Sequence, residues 1–179
     1  MKTIGDRLPA FQLPLVGPED GPPAFPTLSS EDLEGKWVVL FYWPKDFTFV
    51  CPTEIVGFDQ LHEDFVDRDA VVLGASTDTE FVHHAWRQSR EDLGAVRFPW
   101  LADFKRALAE DLGILHPEEG VAMRATFLVD PDGVIRHVSV NDLDVGRSPE
   151  EVLRVLDALQ TDELCPCNWQ QGDETLDAA

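Results

Sequence analysis

A chain of 179 residues and 20.0 kDa fits one globular domain, or one domain with a short arm. Its apolar share of 44% permits a sizeable core and excludes wholesale disorder. The net charge of −20, from 34 acidic against 14 basic residues, would repel phosphate backbones and anionic lipid, so nucleic-acid and polybasic membrane roles are excluded. The longest apolar run, Trp37 to Trp43, is far short of the roughly 20 residues that span a bilayer. The opening MKTIGDRLPAFQL lacks the apolar stretch of a signal peptide, which sets the expectation of a cytoplasmic protein.

The Pro/Gly-rich stretch from Leu15 to Pro26 reads as an exposed loop after a short N-terminal segment. Lys36 to Tyr42, rich in Val and aromatics, predicts a strand buried on both faces. Ile55, Phe58, Leu61 and Phe65 recur at helical spacing after Pro52, which is expected as the first helical residue. Ala70 to Ala75 predicts a second buried strand, and Ser76-Thr-Asp-Thr79 supplies N-cap residues for a helix through Phe81 and Trp86. A short strand over Phe98–Leu101 and a helix over Lys105–Leu112, closed by Gly113, follow. Asp130-Pro-Asp-Gly133 joins Ala125–Val129 to Val134–Val140 as a hairpin. The last helix opens at Ser148-Pro149 and turns Val152, Leu156 and Leu159 inward; beyond Thr161 the chain reads as a polar, mobile arm. This order predicts an α/β fold with a central mixed sheet flanked by helices. A thioredoxin-like layout satisfies it, as do other small α/β folds.

Three cysteines, Cys51, Cys165 and Cys167, are too few and the wrong number for a disulfide scaffold. Cys51 falls between a buried strand and a helix start, where unpaired N–H groups and the helix dipole favour a thiolate. Ionisation alone is a weak catalyst. For a thiol in general, lowering the pKa from about 8.5 to about 6 raises the thiolate fraction about thirtyfold at neutral pH, but the loss of nucleophilicity leaves only about two- to threefold. Such a site must also act on the bond being broken. His83 and His84, adjacent on a helix, diverge by about 100°, and Cys165-Pro-Cys167 lacks a matching second pair, so no metal is expected. No Gly-rich phosphate loop appears, so no cofactor is expected either.

The segment Pro44-Lys-Asp-Phe-Thr48-Phe-Val-Cys51-Pro-Thr-Glu54 resembles the Pro-x-x-x-Thr-x-x-Cys signature of peroxiredoxins, in the form found in their AhpC branch, the typical two-cysteine alkyl hydroperoxide reductases. The resemblance continues through Thr77 to Trp86, Arg124 to Asp130, Val145-Gly-Arg147 and the Cys-Pro-x-Asn-Trp tail ending at Trp169, and so spans Ile4 to Trp169. It implies a thioredoxin-like peroxidase domain over residues 1–161 and a C-terminal arm over 162–179. Cys51 would be the peroxidatic cysteine, oxidised to a sulfenic acid. Thr48 would bind the peroxide beside the sulfur, Pro44 would cover the pocket, and Arg124 would stabilise both the thiolate and the charge on the departing oxygen. Glu54 and Arg147 would orient Arg124.

In register with the family tail, Cys165 takes the resolving position, while Cys167 stands where the family usually has alanine, as in actinobacterial-type members. Cys167 would serve as an alternate partner or as a shuttle to the reductant. The resemblance further implies an interchain disulfide in an antiparallel homodimer, often assembled into rings. It implies peroxide substrates and a dithiol reductant: thioredoxin, an AhpD-like partner or a flavin-dependent reductase. Peroxide-sensitive relatives carry a Gly-Gly-Leu-Gly loop and a Tyr-Phe tail. Here the corresponding loop reads Glu91-Asp-Leu-Gly94 and the tail has no Tyr-Phe, which predicts fast resolution and resistance to sulfinic acid formation. Two rival readings are a ring-shaped holdase, separable by a peroxide-consumption assay, and a thioredoxin-type disulfide reductase, which would need a Cys-x-x-Cys that this sequence lacks.

Overall fold

Buried β-branched and aromatic residues build the centre of the sheet. In the computed structural model, which describes residues 1–177, β3 (Trp37–Tyr42) and β4 (Ala70–Ser76) run parallel, with Val39 opposite Val72 and Tyr42 opposite Ala75. A parallel pair needs a crossover, which α1 (Cys51–Gln60) and α2 (His62–Val66) supply. The full order is β2-β1-β5-β4-β3-β6-β7, a mixed seven-stranded sheet. The remaining strands are β1 (Gln12–Val16), β2 (Thr27–Ser29), β5 (Trp100–Ala102), β6 (Arg124–Val129) and β7 (Ile135–Asn141), with β2 and β7 at the edges. This is the thioredoxin-like arrangement.

Alternation along β3 divides the core into two layers. Val39, Phe41 and Trp43 point to one face, where α1, α2, α3 (Glu80–Ser89), α4 (Glu91–Gly94) and α6 (Pro149–Gln160) bring Ile55, Phe58, Trp86 and Leu156. Val38, Leu40 and Tyr42 point to the other, against Leu108 and Leu112 of α5 (Ala107–Leu112). The caps follow the sequence: Thr79 accepts from the Val82 N–H, Ser148 accepts from the Glu151 N–H, and Gly113 closes α5 in the left-handed region at φ 73°. In the β6–β7 turn the Asp130 carboxylate accepts from the N–H groups of Asp132 and Val134.

Several boundaries differ from expectation for identifiable reasons. Leu15 and Val16 belong to β1 rather than a loop, because they pair with Leu101 and Trp100 and bury Val16 completely. The helix after β3 begins at Cys51, with Pro52 as its second residue, and breaks at Leu61 before α2. Pro99 cannot donate to a ladder, so β5 starts at Trp100 although Phe98 is buried. Arg106 adopts φ 62°, so α5 starts at Ala107. Glu91-Asp-Leu-Gly94 is a helical turn, not a loop, because Leu93 is drawn fully into the core.

The arm is not free of the domain. Leu164 bridges Leu176, Trp169 is buried at 4% exposure, and its indole N–H donates to the Asp173 carbonyl. Ala178 and Ala179 lie outside the described residues. Among the described residues no helix is long and apolar enough to cross a membrane.

Candidate active site

The topology brings three chain segments to one edge of the sheet. β3 ends at Tyr42 and leads through Pro44–Val50 into α1, so Cys51 stands in the first helical turn at the end of the central strand. β6 is antiparallel to β3, with Phe41 opposite Thr126, so the first residue of β6, Arg124, arrives at that same edge. The loop after β7 returns Arg147 to it, held by the Asn141 amide donating to the Gly146 carbonyl.

Cys51 is 1% exposed. Its sulfur lies 3.0 Å from Thr48 Oγ1 and 3.4 Å from Arg124 Nη1. Arg124 is fixed on its other sides by the Glu54 carboxylate at 2.5 Å and the Leu143 carbonyl at 2.7 Å. Glu54, one turn after Cys51, also accepts from Arg147 Nε at 2.8 Å and from the Arg147 backbone N–H at 3.1 Å. Arg147 donates further to the carbonyls of Tyr42 and Ala125, which ties it to β3 and β6. Burial pulls the Arg147 guanidinium below its usual range, and Glu54 pulls it back. With both guanidiniums and the carboxylate charged, the buried group carries one net positive charge. A thiolate at Cys51 brings it to zero.

The Thr48 hydroxyl has one proton and two neighbours that accept it, the sulfur and the Lys45 carbonyl at 2.9 Å. Beside a thiolate the hydroxyl donates to sulfur. Beside a neutral thiol it turns to Lys45 and accepts the S–H. It can therefore follow the charge on the sulfur without any movement of the backbone.

The sequence thus named five residues that the structure brings together: Thr48, Cys51, Glu54, Arg124 and Arg147. Pro44 is buried at the end of β3. Cys165 and Cys167 lie apart, on the arm against α6: Cys165 faces Thr161 Oγ1 at 3.5 Å and the Ala158 carbonyl at 3.8 Å, and Cys167 is exposed. All three cysteines are free.

A supporting network escaped the sequence reading. Trp43 Nε1 donates to Asp46 at 2.7 Å, the other Asp46 oxygen meets His83 Nδ1 at 2.7 Å, and the Asp46 N–H donates to Asp78 at 2.8 Å. His83 Nε2 faces the Leu101 carbonyl at 3.1 Å, which can only accept, so this nitrogen carries hydrogen. The buried His83–Asp46 contact fastens the Pro44–Val50 loop to α3. Asp46 sits inside the Cys51 motif and His83 inside the segment Thr77–Trp86. Their place in those two segments was the signal, and only proximity showed the use.

A mixed seven-stranded sheet of this order flanked by helices is the thioredoxin-like fold of peroxiredoxin structures. The chain belongs to the AhpC/TSA family, whose model matches residues 4–138. It is 52% identical to alkyl hydroperoxide reductase C of Mycolicibacterium smegmatis, over 98% of this chain and 94% of that one. The structure of Mycobacterium tuberculosis AhpC superposes with a TM-score of 0.86 at 49% identity, over 95% of this chain and 99% of that one. A reduced 2-Cys peroxiredoxin of Plasmodium vivax gives a TM-score of 0.90 at 32% identity, over 98% and 93%. The chain is accordingly a thiol-dependent peroxidase that acts on peroxides with a reductant partner.

Proposed function

We propose that Cys51 is the peroxidatic cysteine of a two-cysteine cycle that reduces hydrogen peroxide and organic hydroperoxides to water and alcohols. The observation that carries this reading is the convergence of Thr48 Oγ1 and Arg124 Nη1 on one buried sulfur at the start of α1. The Cys51 thiolate attacks the terminal peroxide oxygen. An S–O bond forms, the O–O bond breaks, and its electron pair leaves on the departing oxygen, which takes a proton and departs as alcohol or water. Thr48 holds the incoming peroxide, and Arg124 receives the charge that develops on the leaving oxygen. Pro44 shields the pocket from water. Glu54 and Arg147 act by holding Arg124.

Residues 1–161 form the peroxidase domain and residues 162–179 the arm. Cys165 of the partner subunit attacks the sulfenic sulfur, forming an interchain disulfide and releasing hydroxide, which takes up a proton. Cys167 serves as the alternate partner or passes the disulfide to the reductant. Within one chain Cys51 and Cys165 keep separate hydrogen-bond partners, which supports an exchange between chains. A dithiol protein closes the cycle: thioredoxin, an AhpD-like protein or a flavin-dependent reductase. Exposed Phe47, Phe49, Phe81 and Phe104 support self-association, as an antiparallel homodimer and then a ring, in the cytoplasm. The test is peroxide consumption by Cys51→Ser with a thiol reductant. Turnover equal to wild type would end the proposal, and a reducible dimer on a denaturing gel after peroxide treatment would support the interchain step.

A further inference from the structure

Two guanidiniums of the domain fasten the arm: Arg68 Nη2 donates to the Gln171 side-chain oxygen at 2.8 Å, and Arg154 holds the stretch next to the two tail cysteines. Arg154 on α6 uses all three of its nitrogens. Nε and Nη2 hold the Glu151 carboxylate at 2.7 and 2.8 Å, and Nη1 donates to the Trp169 carbonyl at 2.9 Å. Trp169, buried two residues after Cys167, is thereby clamped on α6, and its indole N–H closes the following turn through Asp173. Arg154, Glu163, Cys165 and Cys167 line one groove of about 540 Å³. No bond to a carboxylate of the peroxide site explains Arg154.

We infer that Arg154 is a positioning residue for the second half of the cycle: it docks the Cys165–Trp169 segment on α6 and keeps a fixed positive charge beside both tail sulfurs. This rests on the reading of Cys165 as the resolving thiol given above. A thiolate is the attacking species in disulfide formation, and the clamped guanidinium shares a groove with both sulfurs where that negative charge would form. The charged and titratable neighbours are Glu151 on the same helix, His137 on β7 and Glu163 in the arm. Glu151 holds the guanidinium in place and raises its pKa, and the two thiols add to that in the same direction. At rest, Cys165 gives its S–H to the Ala158 carbonyl or to Thr161, while Cys167 is exposed; the clamp presents the pair in order, one sheltered and one open.

The experiment compares wild type, Arg154→Gln and Arg154→Lys in the full chain, with iodoacetamide labelling of Cys165 and Cys167 resolved by mass from pH 6 to 10. The same proteins are tested for stoichiometric peroxide consumption and disulfide formation. Arg154→Gln should label the tail thiols about threefold more slowly near neutrality, the size of effect that one screened surface charge has on a neighbouring anion. Its rates should converge with wild type at high pH, and its disulfide should form more slowly. Arg154→Lys keeps the charge but not the fork. It should restore the labelling profile and still lose protection of the Trp169 segment from protease. Superimposable labelling profiles for wild type and Arg154→Gln would overturn the inference. Failure of wild type to consume one equivalent of peroxide would instead overturn the reading of Cys51 and leave the labelling result standing.

Discussion

Replacing Thr48 with Val keeps the side-chain shape and removes the hydroxyl that stands 3.0 Å from the Cys51 sulfur. A hydrogen bond to a charged group contributes about 1.5–3 kcal/mol. At about 1.4 kcal/mol per tenfold, the first oxidation step should slow by about ten- to 150-fold if that bond is made to the charge of the reacting centre. The half-exposed hydroxyl otherwise meets only the Lys45 carbonyl, so the fold should lose about 1 kcal/mol or less. Rapid-quench peroxide consumption in a single turnover reads the first effect and urea unfolding the second. Thr48→Ser should return to within about threefold of wild type. A Thr48→Val enzyme that oxidises as fast as Thr48→Ser would refute the reasoning, because Arg124 would then be sufficient alone.

A Cβ at Gly74 would lie 2.6 Å from Trp43 Cζ3, so Gly74→Ala should cost about 1–3 kcal/mol in urea unfolding and disturb Asp46 through Trp43. Glu54→Gln leaves two buried guanidiniums without their shared carboxylate and should cost about 3–5 kcal/mol, seen as a lower unfolding midpoint. Burial lowers the pKa of His137 from its ordinary 6.5, with Glu151 opposing, so the unfolded chain binds the proton first. Stability should therefore be full above about pH 6.5 and fall as pH drops below it, and His137→Gln should flatten that acid limb in equilibrium unfolding. Finally, on the proposed two-cysteine cycle, near-stoichiometric peroxide should add no mass of about 32 Da to Cys51; that gain in intact-mass spectra would contradict the expectation of fast resolution.

The sheet's centre was legible because β3 and β4 are long apolar runs, and a run buried on both faces leaves little choice of structure. The caps at Thr79, Ser148 and Gly113 were legible because their chemistry is local. Edges were not. Leu15 joins β1 only because Leu101 offers it a partner, and α4 forms only because the core takes in Leu93. The site divides in the same way. Thr48, Cys51 and Glu54 stand within two turns of chain, and a motif exposes them. Arg124 and Arg147 were reached through family resemblance, since no spacing rule links residues 51, 124 and 147. Asp46 and His83 needed coordinates, because a buried contact between residues 37 apart has no local pattern.

Cys51 and Arg124, the two central residues of the proposed site, are mounted differently. Arg124 begins an inner strand laddered on both sides, whereas Cys51 occupies the first turn of a helix, where the Thr53 and Glu54 amides return to the Val50 carbonyl. One is an anvil, the other a hinged hammer. In the proposed cycle, a rearrangement that carries the sulfur outward would unwind a helix start and leave the strand-borne cation in place, so the site would reassemble against an unmoved reference.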